Sequence, residues 1–167
     1  MKARQTLAAA AALVFAAQPA LAEYGPTRWG MSAEEVIAAV GGDARKVKDI
    51  KDKRILNHKL FVMSNHEDGG IPYEVSYFFG KKGEGLSMVN LVPAAPESNC
   101  AAARAAFVER LGEGIERSET LIEGLEQSSI TWRTGPGEEV VEYLQVRLFG
   151  KTSHCQVLYQ QRDGTKN

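Results

Sequence analysis

The chain has 167 residues, with 20 Lys and Arg against 21 Asp and Glu, a formal net charge of −1. Its hydrophobic share of 44% and charged share of 25% are ordinary for a globular domain and argue against long disorder. The balance of charge excludes a general nucleic-acid binder, which carries a basic excess.

Lys2 and Arg4 form a short basic start, Leu7 to Ala17 is apolar, Pro19 ends the run, and Ala20-Leu21-Ala22 supplies small side chains. This pattern predicts a cleavable secretory signal over residues 1–22, with a mature chain from Glu23. An apolar run of about eleven residues is too short to span a bilayer, which takes roughly twenty, and no later stretch approaches that length without a charge. Position 23 is Glu, so no lipid-acceptor Cys follows the cleavage site. The expected product is a periplasmic chain that does not span a membrane. Its 145 residues (23–167), with 18 cations against 21 anions, suit one domain with a sizeable core.

After an extended lead-in containing Gly25 and Pro26, Ser32-Ala33-Glu34-Glu35 reads as a capping box. Ala33, Val36, Ile37 and Val40 then make one stripe of a short helix, ended by Gly41 and Gly42. Residues 43–54 are strongly charged: Arg45, Lys46, Lys48, Lys51, Lys53 and Arg54 are offset by Asp49 and Asp52. They suit a patch for an anionic partner, or a solvated connection or lysine-protected edge strand. Lys59 to Ser64 predicts a strand, Asp68-Gly69-Gly70 a turn, and Tyr73, Val75, Tyr77 and Phe79 a half-buried strand with period two. Leu86 to Val92 is a third strand with imperfect alternation, as a bulge would give.

A second helix carries Cys100, Ala103, Phe107 and Leu111 on one face and stops at Gly112 and Gly114. Residues 113–128 are acidic and poorly patterned, with Glu113, Glu116, Glu119, Glu123 and Glu126 set against Arg117. They read as a solvated, mobile loop. They lack the Asp/Asn/Gly loop that calcium prefers. Ile130 and Trp132 sit in a short strand. Leu144, Val146 and Leu148 alternate with Tyr143, Gln145 and Arg147, and a last strand puts Cys155, Val157 and Tyr159 on one side and His154 and Gln156 on the other. The predicted fold is α+β: two helix-plus-three-strand antiparallel units in the order αβββαβββ, helices on sheet, with the pattern of a tandem duplication over 23–93 and 94–161.

Two cysteines in an exported chain predict one bridge, Cys100 to Cys155, closing a loop of 55 positions. The rival, a redox or metal thiol pair, has neither a C-x-x-C spacing nor a nearby His cluster to support it. His58, His66 and Asp68, with Glu67 as base, are the one imaginable hydrolytic or metal site, but a spacing of eight between the histidines matches no metal motif. No nucleophile elbow or phosphate-cradling glycine loop is present. Neither a catalytic residue nor a cofactor or metal is assigned. Tyr73, Tyr77, Trp132 and Tyr143 are candidate binding residues, since strand-borne Tyr and Trp anchor many interfaces. The same positions, with Phe79 and Tyr159, equally suit a core beneath the helices.

Arg28-Trp29-Gly30-Met31-Ser32-x-x-Glu35-Val36, a Cys-headed helix ending in Leu111-Gly112, Trp132-Arg133-Thr134-Gly135, and Cys155-Gln156-Val157-Leu158-Tyr159 together resemble a family of uncharacterised bacterial periplasmic proteins. The chain departs from that pattern at Gly114-Ile115, where such proteins often place Gly-x-Pro. The resemblance implies a small helix-on-sheet architecture, similar at fold level to the tandem repeats of β-lactamase inhibitory proteins and, more loosely, to the small lipoprotein of the outer-membrane assembly machine. Fold alone transfers no site. The function expected is a non-enzymatic binding or envelope-associated module that meets another envelope protein or an envelope component. The alternatives are a metal-dependent hydrolase and an outer-membrane assembly accessory factor.

Overall fold

The structure, a computed structural model, describes residues 24–47, 54–55, 58–80, 84–134 and 139–161. The predicted signal over 1–22 lies outside them.

Helix α1 (Ala33–Val40) begins where its sequence says it should. The Ser32 hydroxyl accepts from the Glu35 amide, the Glu35 carboxylate accepts from the Ser32 amide at 2.7 Å, and the Gly41 amide closes the last turn on the Ile37 carbonyl. This reciprocal cap satisfies two amides that an eight-residue helix would otherwise leave open. Ser32→Ala is therefore expected to cost about 1 kcal/mol of unfolding free energy. Urea denaturation checks it, and an unchanged midpoint would show that packing alone holds the helix.

Upstream of α1, the Trp29-Gly30-Met31 turn is stitched to the start of a later strand. The Gly30 amide donates to the Leu86 carbonyl and the Leu86 amide to the Met31 carbonyl, both at 2.8 Å. Gly85 has φ +68°, and a Cβ there would sit 2.1 Å from the Gly30 carbonyl oxygen, so this close approach requires glycine.

Two short strands, β1 (Arg45–Lys46) and β2 (Arg54–Ile55), flank the long β3 (His58–Asp68), which is followed by β4 (Ile71–Phe79) and β5 (Leu86–Pro93). The described ends of the cationic segment are thus edge strands on β3. Helix α2 (Pro96–Leu111) has Pro at its start and Gly112 at its end, the asymmetry helices favour. Strands β6 (Ile115–Ile122), β7 (Leu125–Thr134), β8 (Glu139–Leu148) and β9 (Lys151–Gln161) complete the described chain. All strands are antiparallel and form one nine-stranded sheet, in the order β1-β3-β4-β5-β9-β8-β7-β6 with β2 also on β3.

The α+β class and the helices packed on an antiparallel sheet are as expected, but two equal αβββ units are not what the sheet shows. Residues 115–122, expected within a loop, form β6, and β7 reaches back to Leu125, so the second half has four strands. The β5–β9 pairing, Val89 opposite Tyr159 and Leu91 opposite Val157, fuses both halves into one sheet.

In β8 the set that contains Tyr143 is the one that faces the core. Val141 and Tyr143 point into the core, whereas Leu148 is 46% exposed. Pairing with β9 dictates this, because Tyr143 lies opposite Val157 and Gln145 opposite Cys155, and directly opposed residues share a face.

The main core lies between the helices and the sheet. Val36 of α1 and Cys100, Ala103 and Phe107 of α2 meet Tyr73, Val75, Tyr77, Val89, Leu91, Ile130, Trp132, Val141, Tyr143 and Val157. A smaller cluster of Leu60, Phe78, Met88 and Leu158 is joined by Val47, Ile55 and Met63. Cys100 and Cys155, both buried, are disulfide-bonded with Cα atoms 5.8 Å apart, inside the usual range. The bridge staples α2 to β9.

Candidate functional site

Tyr73, Tyr77, Trp132 and Tyr143 all lie inside the molecule, none more than 4% exposed. They fill the core rather than offer a sheet face to a partner. The polar ends of Tyr77, Trp132 and Tyr143 are used internally. The Trp132 Nε1 donates to the Gly112 carbonyl at 2.9 Å, tying the exit of α2 to β7. The Tyr143 hydroxyl donates to the Cys100 carbonyl at 3.0 Å, and the Tyr77 and Ser64 hydroxyls are 3.3 Å apart. Such partners are what buried Tyr and Trp require.

The histidines and Asp68 are not gathered into one site. His58 and His66 occupy opposite ends of β3, about 26 Å apart at the rise of an extended strand. His58 Nδ1 is 2.7 Å from the Ser87 hydroxyl. Asp68 accepts from Arg110 at 2.8 Å. Among the described residues no group of three or more His, Cys, Asp or Glu side chains could hold a metal ion, and no helix is long and apolar enough to cross a membrane.

His66 and Asp68 do share a cleft of about 590 Å³, between the lead-in, α1 and the C-terminal end of α2. Its walls include Tyr24, Tyr77, Val141 and Tyr159, and its polar lining includes Asp43, His66, Arg110 and Glu139. Tyr24 is among its lining residues. Its ring meets Tyr159 at 5.4 Å and stands edge-on to His66 at 5.9 Å. Tyr159 in turn meets Phe107 at 6.3 Å, and the Arg110 guanidinium lies 4.5 Å above that Phe107 ring. One aromatic ladder therefore runs from the core to the cleft, and the Arg110–Asp68 pair closes its rim.

The polar groups of the cleft fall into satisfied and unsatisfied sets. Asp43 accepts from the Asn65 amide at 3.1 Å, which holds its carboxyl below the usual range. Buried Glu139 accepts from the Thr134 hydroxyl at 2.6 Å. The Tyr24 hydroxyl is buried and has no hydrogen-bond partner among the described residues, a costly state for a phenol unless a ligand or solvent completes it. Sequence reasoning passed over Tyr24. Its only local signal is an aromatic ring in a Gly- and Pro-containing lead-in, and the partners that give it meaning are far away in the chain.

Burial raises the pKa of all five tyrosine hydroxyls, with Tyr143 and Tyr159 pushed up to about 12. In the unfolded chain they ionise near 10. The stability that Tyr143 and Tyr159 contribute in this way is complete below pH 10 and is lost as pH rises through about 12, because the unfolded chain gives up those protons first. The folded protein should thus show little phenolate absorbance at pH 10, where the unfolded chain is about half ionised. Titration near 10 with the fold intact would contradict this burial.

No protein-family model matches this chain, and comparison with curated proteins and with solved structures gives no match either.

Proposed function

We propose that this chain is a non-enzymatic binding module of the bacterial envelope, holding part of another envelope protein or an envelope component in the Tyr24–Tyr159 cleft. The observation that carries this reading is the buried Tyr24 hydroxyl, without a partner among the described residues, set in a cleft of about 590 Å³. That volume lies within the range of ligand sites, which combine apolar walls with a few placed polar groups. The export signature over residues 1–22 and the Trp29-Gly30-Met31 lead-in support the periplasmic setting.

The test is photo-crosslinking in cells, with the reactive residue at Asn65 on the cleft and at Glu97, which is exposed at the far end of α2, as control. One species should be captured from position 65 and not from 97. Tyr24→Ala should lower its yield about tenfold, as truncation of an aromatic anchor does. Equal capture from both positions, or indifference to Tyr24→Ala, would overturn the cleft as the binding site. Substrate turnover abolished by His66→Ala would overturn the non-enzymatic reading.

A further inference from the structure

All eight residues of β6 are exposed, and among the described residues no strand pairs with its outer side. Natural edge strands are blunted by proline, charged side chains (lysine above all) or bulges, and the charges of β6 are Glu116, Arg117 and Glu119. β6 has neither Pro nor Lys, and its one irregularity lies between Thr120 and Ile122, next to the turn. Ile115 and Leu121 stand 58% and 48% exposed at its two ends.

The residues between them are self-complementary. Suppose a second copy of β6 pairs antiparallel about a two-fold axis at Ser118. Arg117 then faces Glu119 of the second copy, and Glu119 faces its Arg117. Ser118 meets Ser118, Glu116 meets Thr120, and Ile115 meets Leu121. Glu116 is already neutralised within its own chain by Arg104 of α2 at 2.6 Å, so it brings no unpaired charge.

Neighbouring registers lose this match. Centring on Arg117 opposes two arginines, centring on Glu119 opposes two glutamates, and a half-step toward the N-terminus sets Glu116 against Glu119. Like charges directly opposite one another destabilise a strand pair. A half-step the other way removes the ion pairs and turns the second copy over, because slipping by one residue exchanges the faces of a strand.

We infer that β6 is a homodimerisation edge, joining two copies of this chain through antiparallel β6–β6 pairing centred on Ser118 into one continuous sheet with all four helices on the same side. Two Arg117–Glu119 pairs set the register. The edge provides backbone hydrogen bonds, and the apolar ends are covered.

The test uses the whole chain, expressed with residues 1–22 and purified oxidised. Sedimentation should show a reversible dimer. Arg117→Glu should weaken it about tenfold, by turning two attractive cross-strand pairs into repulsive ones. The double variant Arg117→Glu/Glu119→Arg should restore it, because the swapped charges again face each other. Directly opposed Cβ atoms in a strand pair are about 5 Å apart. Ser118→Cys should therefore form a disulfide-linked dimer on oxidation with Cys100–Cys155 intact, whereas Glu123→Cys in the turn should not. A wild-type monomer at the highest concentration reached, or failure of the double swap to restore dimerisation while its melting curve matches wild type, would overturn the inference.

Discussion

Replacing both Cys100 and Cys155 with alanine is expected to lower the unfolding free energy by about 4 kcal/mol. The bridge closes a loop of 55 positions. In the chain-entropy account its main action is on the unfolded ensemble, which it deprives of conformations. Both cysteines are buried, so the loss of two sulfur atoms adds a small cavity penalty in the folded state. A domain of this size is stable by about 5–15 kcal/mol, so the bridge makes up a large fraction of the total. Urea denaturation of the double variant, and of the wild type with reductant, should agree on the loss. A loss under about 1 kcal/mol in both would mean that the unfolded chain is already compact enough for the cross-link to constrain little. Expression in a reducing cytosol should give a protein with the weaker of the two stabilities.

Phe107→Ala is expected to cost about 3–5 kcal/mol, the range for removing a buried aromatic ring. Phe107 is 1% exposed on the inward face of α2. It meets the Tyr159 ring on one side and supports the Arg110 guanidinium on the other. Its loss acts on the folded state, by leaving a cavity that the sheet is too rigid to collapse into, whereas loss of the bridge acts on the unfolded one. The two variants should therefore differ in character. Phe107→Ala should also loosen Tyr159 and Arg110, and so weaken crosslinking from the cleft even where the protein stays folded. A cost below about 1 kcal/mol would mean that α2 is held to the sheet by the Cys100–Cys155 bridge and not by its packing.

Much of the first half was legible because its signals are local. The capping box at Ser32 and Glu35, the glycines at 41–42 and 69–70, and the alternation of Tyr73, Val75 and Tyr77 each operate within a few residues. The same holds for the stripe of Cys100, Ala103 and Phe107, which correctly faces the sheet. The bridge was expected from there being only two cysteines, and the stripe and the face of Val157 agreed with it. The four candidate aromatics were found at the right elements, but periodicity describes a face without saying what covers it, and the helices cover theirs.

Where the sequence reading failed, the deciding interaction was non-local. Strand β6 has no hydrophobic pattern because neither of its faces is buried. Backbone pairing with β7 stabilises it, and that pairing leaves no trace in side-chain periodicity. The alternation of Leu144, Val146 and Leu148 with Tyr143, Gln145 and Arg147 left the inward face of β8 open, since its orientation is inherited from the register with β9. By itself the sequence determined the two helices, the cap of the first, most strand positions and the pairing of two cysteines, all of which rest on short-range stereochemistry or on there being only two thiols. Tertiary structure alone decided that β5 joins β9, that the acidic stretch is a strand with an open edge, and that Tyr24, Tyr159 and Arg110 border one cleft. These depend on which distant segments share a sheet, a choice made by the summed burial of the whole chain and not by any window of it.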